Sequence, residues 1–145
     1  MHPALTPLPA IGRILLSLVF VLAGLRQLGD VGGMAAYMST HGIPGANVLA
    51  WGAIALEIGG GLMLAVGLLA RLIAAAFFFY TLALAVIFHP YWTMSGAAAH
   101  AQQSTFLFHL ALMGGMLFVA AFGAGPLSID ALAWRRWRVA LATAA

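Results

Sequence analysis

Residues 47–71 read NVLAWGAIALEIGGGLMLAVGLLAR, and this stretch decides the fold. It is long enough to cross a bilayer, because a spanning helix needs about 20 apolar residues. Near its centre lies Glu57, and Gly59, Gly60 and Gly61 follow closely. A carboxylate at membrane depth is unfavourable by several kcal/mol, so it normally faces the protein interior, a water-filled cavity or a partner. Glu57 is therefore the first candidate for a functional residue.

The composition of the whole chain also indicates a membrane protein. Of its 145 residues, 64% are hydrophobic and only 6% are charged, whereas soluble proteins carry about 25% charged residues. The length predicts a single membrane domain, residues 1–145. The chain contains no cysteine, which excludes disulfides, thiolate metal sites and iron–sulfur clusters held by this chain.

The net charge of +3 comes with six basic residues that are all arginine, and three of them lie close together at Arg135, Arg136 and Arg138. Basic residues beside membrane spans normally meet anionic lipid headgroups. A nucleic-acid site would need a wider basic face. The partner predicted by this cluster is therefore the lipid bilayer, and no nucleic acid is expected.

The apolar segments predict an all-α membrane protein with a bundle of four transmembrane helices. The first is interpreted as a retained helix rather than a cleaved signal peptide, because its apolar run exceeds about 15 residues and no basic residue precedes Arg13. Pro90 ends the third span and Pro126 ends the fourth, with Ser104 as a plausible cap of the fourth. An irregular loop of about residues 29–46 follows the first span. The predicted spans are approximately 10–28, 47–70, 72–89 and 105–122, followed by a short interfacial helix at about 128–140.

An even number of spans places both termini on one side of the membrane. Five arginines fall on that side and only Arg26 falls on the other. Because cytoplasmic loops are enriched in basic residues, the N and C termini are both predicted to be cytoplasmic. The five arginines are Arg13, Arg71, Arg135, Arg136 and Arg138.

Small residues indicate how the helices meet. Ala50, Ala53 and Gly60 share one face of the second span with Glu57, because they recur at three- and four-residue spacings. Small residues let helix backbones approach closely in membranes, so Glu57 is predicted to point into the bundle. The predicted helix-packing residues are Gly59, Gly60, Gly61, Gly114 and Gly115.

Four ionisable side chains are predicted to meet in one layer of the bundle. Glu57 lies about 15 Å along its helix from Asn47, at a rise of about 1.5 Å per residue. Side chains lean toward the amino terminus of a helix, so Arg26 and His89, near the outer helix ends, lean into the membrane. Glu57 and His109, on helices of the opposite direction, lean toward the outer surface. We therefore expect an outward-facing polar cavity, and its predicted lining is Arg26, Glu57, His89 and His109.

Two arginines are candidate partners of Glu57. Arg26 is preferred and Arg13 is the alternative, and both cannot point at the bundle centre because they lie about 140° apart around the first helix. Arg26 extending to lipid headgroups is a further alternative. Protonation of Glu57 is another way to limit the unfavourable burial. Arg13 therefore stays among the cavity candidates.

The histidines raise the question of a cofactor. Imidazoles on facing helices hold haem in some bundles, but the position of His89 at a helix end offers little depth, so haem is not expected. The histidines also lack the close spacing of a metal site, and none is predicted. No nucleotide-binding or nucleophile motif occurs, so no catalytic residue is assigned. The histidines considered are His41, His89, His100 and His109.

Short motifs follow one another along nearly the whole chain. They are Gly12-Arg13-Ile14-Leu15, Gly24-Leu25-Arg26-Gln27-Leu28, Gly42-Ile43-Pro44, Glu57-Ile58-Gly59-Gly60, Gly67 to Arg71, Phe88-His89-Pro90-Tyr91-Trp92, Gly114-Gly115 and Gly123 to Asp130. Their order and spacing resemble the DoxX family of small four-helix membrane proteins. The resemblance implies a multi-pass protein of the bacterial inner (cytoplasmic) membrane that is associated with quinol, thiosulfate-to-quinone or thiol redox systems. Relatives often carry lysines where this chain has Gln27 and Phe108-His109, so a role of those lysines does not transfer.

The resemblance and the predicted cavity together favour a redox-associated accessory subunit that binds a quinone or quinol head group. Glu57 or a histidine would exchange its protons. Two alternatives stay open: a non-catalytic structural or assembly subunit of a larger complex, and a small-molecule permease, which the absence of an evident inverted repeat disfavours. Other membrane subunits or further copies of this chain are the expected protein partners. An autonomous oxidoreductase is less favoured, because no residue pattern guarantees a redox centre.

Overall fold

The computed structural model describes residues 7–143, with side chains described up to residue 137. This part of the chain is helical apart from short turns. The α-helices are α1 (Leu8–Leu28), α2 (Val31–Thr40), α3 (Ala46–Ala55), α4 (Gly61–Val66), α5 (Ala70–Phe88), α6 (Gly96–Phe122) and α7 (Ile129–Thr143). A π-helical turn, Leu56–Gly60, joins α3 to α4, and a 3-10 helix, Tyr91–Thr93, lies between α5 and α6.

Four segments within residues 7–143 are long and apolar enough to cross a membrane. Two of them are α1 and α6, a third is the continuous run from α3 through α4, and the fourth is α5 with the 3-10 helix. Large apolar side chains cover much of the outer surface, as contact with lipid requires. The predicted all-α bundle of four membrane-spanning helices is confirmed. The cytoplasmic position of the termini stays a prediction from charge.

The segment after the first span differs from the predicted irregular loop. Residues 31–40 form α2, and the Asp30 carboxylate caps this helix by accepting a hydrogen bond of 2.8 Å from the Gly33 N–H. Asp30 and the pair Gly32-Gly33 are residues typical of a turn, and they favour the loop interpretation. Aspartate is also a preferred N-cap, and this second role decides the local structure.

The fourth span begins earlier than predicted, at Gly96 rather than near residue 105. Ser104, predicted to cap the helix, lies inside α6 instead, where its hydroxyl donates to the His100 carbonyl. The polar residues before position 105 thus form the first turns of a helix that is longer than its apolar part. Conversely, the second span ends early, at Val66, because Gly67 takes a left-handed conformation with φ of 71° and stops α4.

Aromatic and small residues fill the core where the spans cross. The Phe20 ring stacks on the Phe77 ring with centroids 3.9 Å apart, and Leu64 and Met116 are fully buried beside them. Cβ atoms built on the predicted packing glycines would touch a neighbouring helix in three cases: Gly60 meets Phe77, Gly61 meets Val21 and Gly115 meets Leu16. Cβ atoms built at Gly59 and Gly114 would meet no described atom within 4 Å outside the backbone of their own helix, so a packing role at these two positions stays a prediction.

Arg13 ties three parts of the chain together at one end of the bundle. Its side chain is buried, and Nε and Nη2 each donate to the Ala65 carbonyl at 3.1 Å. Nη2 also donates to the Leu127 carbonyl at 3.0 Å, and Nη1 donates to the Ala124 carbonyl. The guanidinium therefore satisfies carbonyls at the end of α4 and in the turn after α6, which helix ends otherwise leave unpaired. We call this the Arg13 end.

Asp130 makes a second tie at the Arg13 end. Its two carboxylate oxygens accept from the N–H groups of Leu69 and Ala70 at 2.8 and 2.9 Å, and its own N–H donates to the Gly67 carbonyl at 3.0 Å. Leu69 offers no side-chain cap to α5. The first residues of α7 therefore cap α5 from a distant part of the sequence.

Asp130→Ala is expected to loosen α7 and to lower the free energy of unfolding by about 1 kcal/mol, the usual effect of losing an N-cap. Trypsin should then cleave after Arg135 and Arg136 faster than in the wild type. Asp30→Ala is the matched control, because it removes the cap of α2 and leaves the α7 contacts unchanged. Equal tryptic rates at these arginines in Asp130→Ala and wild type would contradict the assignment.

Candidate functional site

A cavity of about 540 Å³ opens between the helices at the end of the bundle opposite Arg13. All four residues predicted to share a cavity line it: Arg26, Glu57, His89 and His109. Its volume falls within the range of about 300–1,000 Å³ of small-molecule sites. The remaining lining residues are Ala23, Gln27, Met34, Tyr37, Met38, Ala53, Tyr80, Leu84, Phe88 and Thr105.

Glu57 lies in the π-helical turn, and only 2% of its surface is exposed. Single π turns inside α-helices are rare and occur frequently at functional sites. The α1 backbone comes very close here, since a Cβ built on Gly24 would lie 2.9 Å from the Glu57 Cβ. The glycine thus lets α1 pack directly against the turn that carries the carboxyl group.

Two neutral side chains hold one oxygen of Glu57. The Tyr80 hydroxyl donates to Oε1 at 2.7 Å, and the Gln27 amide donates to the same atom at 3.3 Å. The other oxygen, Oε2, and the Gln27 Oε1 are buried and have no hydrogen-bond partner within residues 7–143. Buried polar atoms are normally satisfied, so two buried acceptors of residues that line this cavity have unused hydrogen-bonding capacity within the described residues.

Neither predicted arginine pair forms. Arg13 binds carbonyl groups at the opposite end of the bundle, so it does not reach Glu57. Arg26 lines the same cavity as Glu57, but within the described residues it makes no hydrogen bond or ion pair to the carboxyl group. Tyr80 and Gln27 take the place that the sequence assigned to an arginine. The positive charge of Arg26 faces the cavity without a direct contact to Glu57.

The two cavity histidines lie against each other, with ring centroids 4.9 Å apart. His109 Nδ1 is 2.8 Å from the Thr105 carbonyl, and His89 Nδ1 is 2.6 Å from the Gln102 Oε1. A carbonyl oxygen only accepts, so Nδ1 carries the proton in each ring. In the neutral rings Nε2 is then an acceptor, and it makes no hydrogen bond to any other side chain or carbonyl group within the described residues.

The helix α2 contributes part of the cavity wall. Met34, Tyr37 and Met38 line it, and the Tyr37 ring stacks on Phe88 with centroids 5.3 Å apart. His41 also packs on Phe88, at 4.9 Å, rather than lining the cavity. Within the described residues no group of three or more histidines and carboxylates is arranged to hold a metal ion.

Sequence reasoning missed Gln27 and Tyr80 as site residues. Gln27 adjoins Arg26, which drew attention as the charged neighbour. Tyr80 directly follows three phenylalanines within the apolar run of the third span, which hides its polar hydroxyl group in the pattern. A usable signal existed, because a tyrosine hydroxyl inside a span normally finds a hydrogen-bond partner. Glu57, a carboxyl group predicted to face the bundle interior, was an acceptor that this hydroxyl group could reach.

The amino-acid sequence of this chain is similar to a known family and to two known proteins. The family model described as DoxX matches residues 8–90, which run from α1 to just beyond α5 and include Arg26, Glu57 and His89. Inner membrane protein YphA of Escherichia coli K12 is 32% identical over 120 residues, covering 83% of this chain and 86% of that protein. Inner membrane protein YqjF of the same organism is 34% identical over 127 residues, covering 88% and 92%. No solved structure matches.

These similarities agree with the architecture. The relatives are inner membrane proteins by name and are matched over most of their length, and this chain has four helices that can cross a membrane. The predicted inner-membrane location is therefore confirmed. The chain is a multi-pass membrane protein that belongs to the DoxX family.

Proposed function

We propose that this chain is an accessory subunit of a membrane redox system and binds a quinone or quinol head group in the cavity beside Glu57. The observation that carries the proposal is the buried Glu57 Oε2, which lacks a hydrogen-bond partner within residues 7–143 and belongs to a residue that lines a cavity of ligand size. A buried acceptor of this kind matches a ligand that brings its own O–H group into the membrane.

Donors and acceptors around the cavity suit both forms of such a head group. Quinone oxygens only accept, and the guanidinium of Arg26 is a donor with several N–H groups. Quinol hydroxyl groups also donate, and Glu57 Oε2 and the Nε2 atoms of His89 and His109 are acceptors for them. The quinone–quinol couple would supply the two-electron chemistry when bound. The residues of this chain would bind and orient the head group and exchange its protons.

Tyr80 and Gln27 act as positioning residues in this proposal. Both donate to Glu57 Oε1, so the carboxyl group is held by one oxygen while the other keeps its acceptor capacity. A carboxyl group fixed by neighbouring hydrogen bonds needs little reorganisation when a ligand binds, which favours affinity.

The test compares the two redox forms of decylubiquinone by calorimetric titration of the purified protein in detergent. Glu57→Gln replaces one carboxyl oxygen by an N–H donor and keeps the shape of the side chain. Quinol binding should weaken about tenfold or more, since a hydrogen bond to a charged group contributes about 1.5–3 kcal/mol. Binding of the oxidised quinone should not weaken, because the new donor can serve a quinone oxygen.

Asp30→Asn is the matched control. It makes the same carboxyl-to-amide change at an exposed residue outside the cavity and keeps an N-cap for α2. The proposal fails when the wild-type protein binds neither form, and it also fails when Glu57→Gln and Asp30→Asn bind quinol equally well. Either result would favour the alternative of a structural or assembly subunit.

A further inference from the structure

An apolar groove of about 340 Å³ lies next to the cavity, between the second and third spans. Leu49, Gly52 and Leu56 line it from one side, and Ala83 and Ile87 line it from α5. Several of these residues are exposed on the outer surface of the bundle. The groove therefore opens sideways, where the apolar surface of the bundle meets lipid.

The groove and the cavity share a wall. Met38, Ala53, Tyr80, Leu84 and Phe88 line both. Tyr80 is the clearest junction, because its hydroxyl donates to Glu57 while the residue also borders the groove. A molecule with a polar end at Glu57 thus meets an apolar surface directly beside that end.

We propose that the groove holds the hydrocarbon tail of the molecule whose head group occupies the cavity. The inference rests on the proposed function and adds the ligand class to it: a membrane-dissolved amphiphile with a compact polar head and a long apolar tail. Such a molecule enters from the bilayer between α3 and α5. A tail-less, water-soluble ligand would leave the groove to lipid.

The surrounding bilayer limits how much the groove can add to the free energy of binding. A tail that moves from lipid into the groove leaves one apolar surrounding for another, so burial gives little driving force. The shape of the groove instead determines whether a tailed ligand fits. Filling the groove should therefore weaken the binding of ligands that carry a tail and leave the binding of a tail-less head group unchanged. This difference distinguishes an effect on the groove from an effect on the cavity.

Gly52→Phe fills the groove with little disturbance of the fold, since a Cβ built on Gly52 meets no described atom within 4 Å outside the backbone of its own helix. Gly114→Phe is the matched control, because Gly114 has equally open surroundings in a membrane-spanning helix, lies outside the π-helical turn and lines neither the groove nor the cavity. Ala83→Phe is a second variant that fills the groove from α5. Decylubiquinol and its tail-less head group are titrated against each variant in lipid nanodiscs.

Each ligand is compared with itself across variants, so its partition into lipid cancels. Gly52→Phe and Ala83→Phe should weaken decylubiquinol binding about fivefold or more, as expected for steric overpacking, and leave tail-less quinol binding unchanged. Gly114→Phe should change the binding of neither ligand. Equal effects on both ligands, or no effect on either, would overturn the groove assignment while the head-group proposal stands. Absence of binding in the wild type would overturn both.

A lipid or detergent chain is the competing occupant of the groove. Native mass spectrometry of wild type and Gly52→Phe distinguishes it. Loss of one co-purified phospholipid from Gly52→Phe, together with unchanged decylubiquinol affinity, would assign the groove to lipid and overturn the proposal. The proposal is supported when Gly52→Phe binds less decylubiquinol than the wild type but retains the same co-purified phospholipid.

Discussion

Arg13→Ala is expected to lower the free energy of unfolding by about 3 kcal/mol or more, because each hydrogen bond from a charged donor contributes about 1.5–3 kcal/mol. The wild-type guanidinium serves three carbonyl groups, those of Ala65, Ala124 and Leu127. Alanine leaves these groups without their donor in a buried place. It also disconnects α1 from the end of α4 and from the turn after α6.

Thermal unfolding in detergent, followed by circular dichroism, measures this effect. Arg13→Lys should fall between wild type and alanine, since an ammonium group keeps the charge but lacks the planar fork that reaches several acceptors. Arg71→Ala is the matched control, because Arg71 is an exposed arginine at the same end. A melting temperature of Arg13→Ala equal to that of Arg71→Ala would show that the guanidinium contacts add no stability.

Gly24→Leu is expected to destabilise the protein by about 1–3 kcal/mol and to abolish quinol binding, because it overpacks the contact between α1 and the π-helical turn. A Cβ at this position would lie 2.8 Å from Ile58 Cγ1 and 3.3 Å from the Ile58 backbone nitrogen. The backbone cannot move aside as a side chain can. Either α1 or the turn must shift, and Glu57 shifts with it.

Gly12→Leu provides the control for this change. Gly12 lies on the same helix, and a Cβ built there meets no described atom within 4 Å outside the backbone of that helix. An exposed substitution of this kind usually changes stability by less than about 0.5 kcal/mol. Melting temperature and quinol affinity are measured for both variants. Equal values for Gly24→Leu and Gly12→Leu would contradict a tight contact at Glu57.

The spans and the inward face of Glu57 could be predicted because both depend on periodic, short-range patterns. Apolar runs of the right length defined the four helices. The face shared by Ala50, Ala53 and Glu57 is buried in the structure, as its small-residue spacing predicted. The lean of side chains along antiparallel helices also brought Arg26 and the two histidines to the same cavity as Glu57.

The partner of Glu57 could not be predicted by the same means. Opposite charge suggested an arginine, but the hydrogen bonds to the carboxyl group come from the neutral groups of Tyr80 and Gln27, both to Oε1. Neutral partners carry no charge signal in a sequence. Arg13 was misplaced for a related reason, since its acceptors are backbone carbonyls, and every residue has one.

The α2 helix was not predicted because an aspartate can either form a turn or cap the start of a helix. Asp30 followed by a glycine pair is typical of a turn, and it is also an N-cap when a helix follows. The packing of α2 on distant parts of the chain, such as that of the Tyr37 ring on Phe88, distinguishes the two outcomes. That contact joins residues far apart in the chain, which local patterns do not describe.

The contacts at the Arg13 end also determine when, during synthesis, the bundle can be completed. Ala124 and Leu127, two of the three residues that accept from Arg13, lie more than a hundred positions after it. The cap of α5 comes from Asp130, likewise made after all four spans. While the ribosome is still extending the chain, the first and third spans therefore lack these partners. The closing contacts of the bundle can form only when translation has passed residue 130.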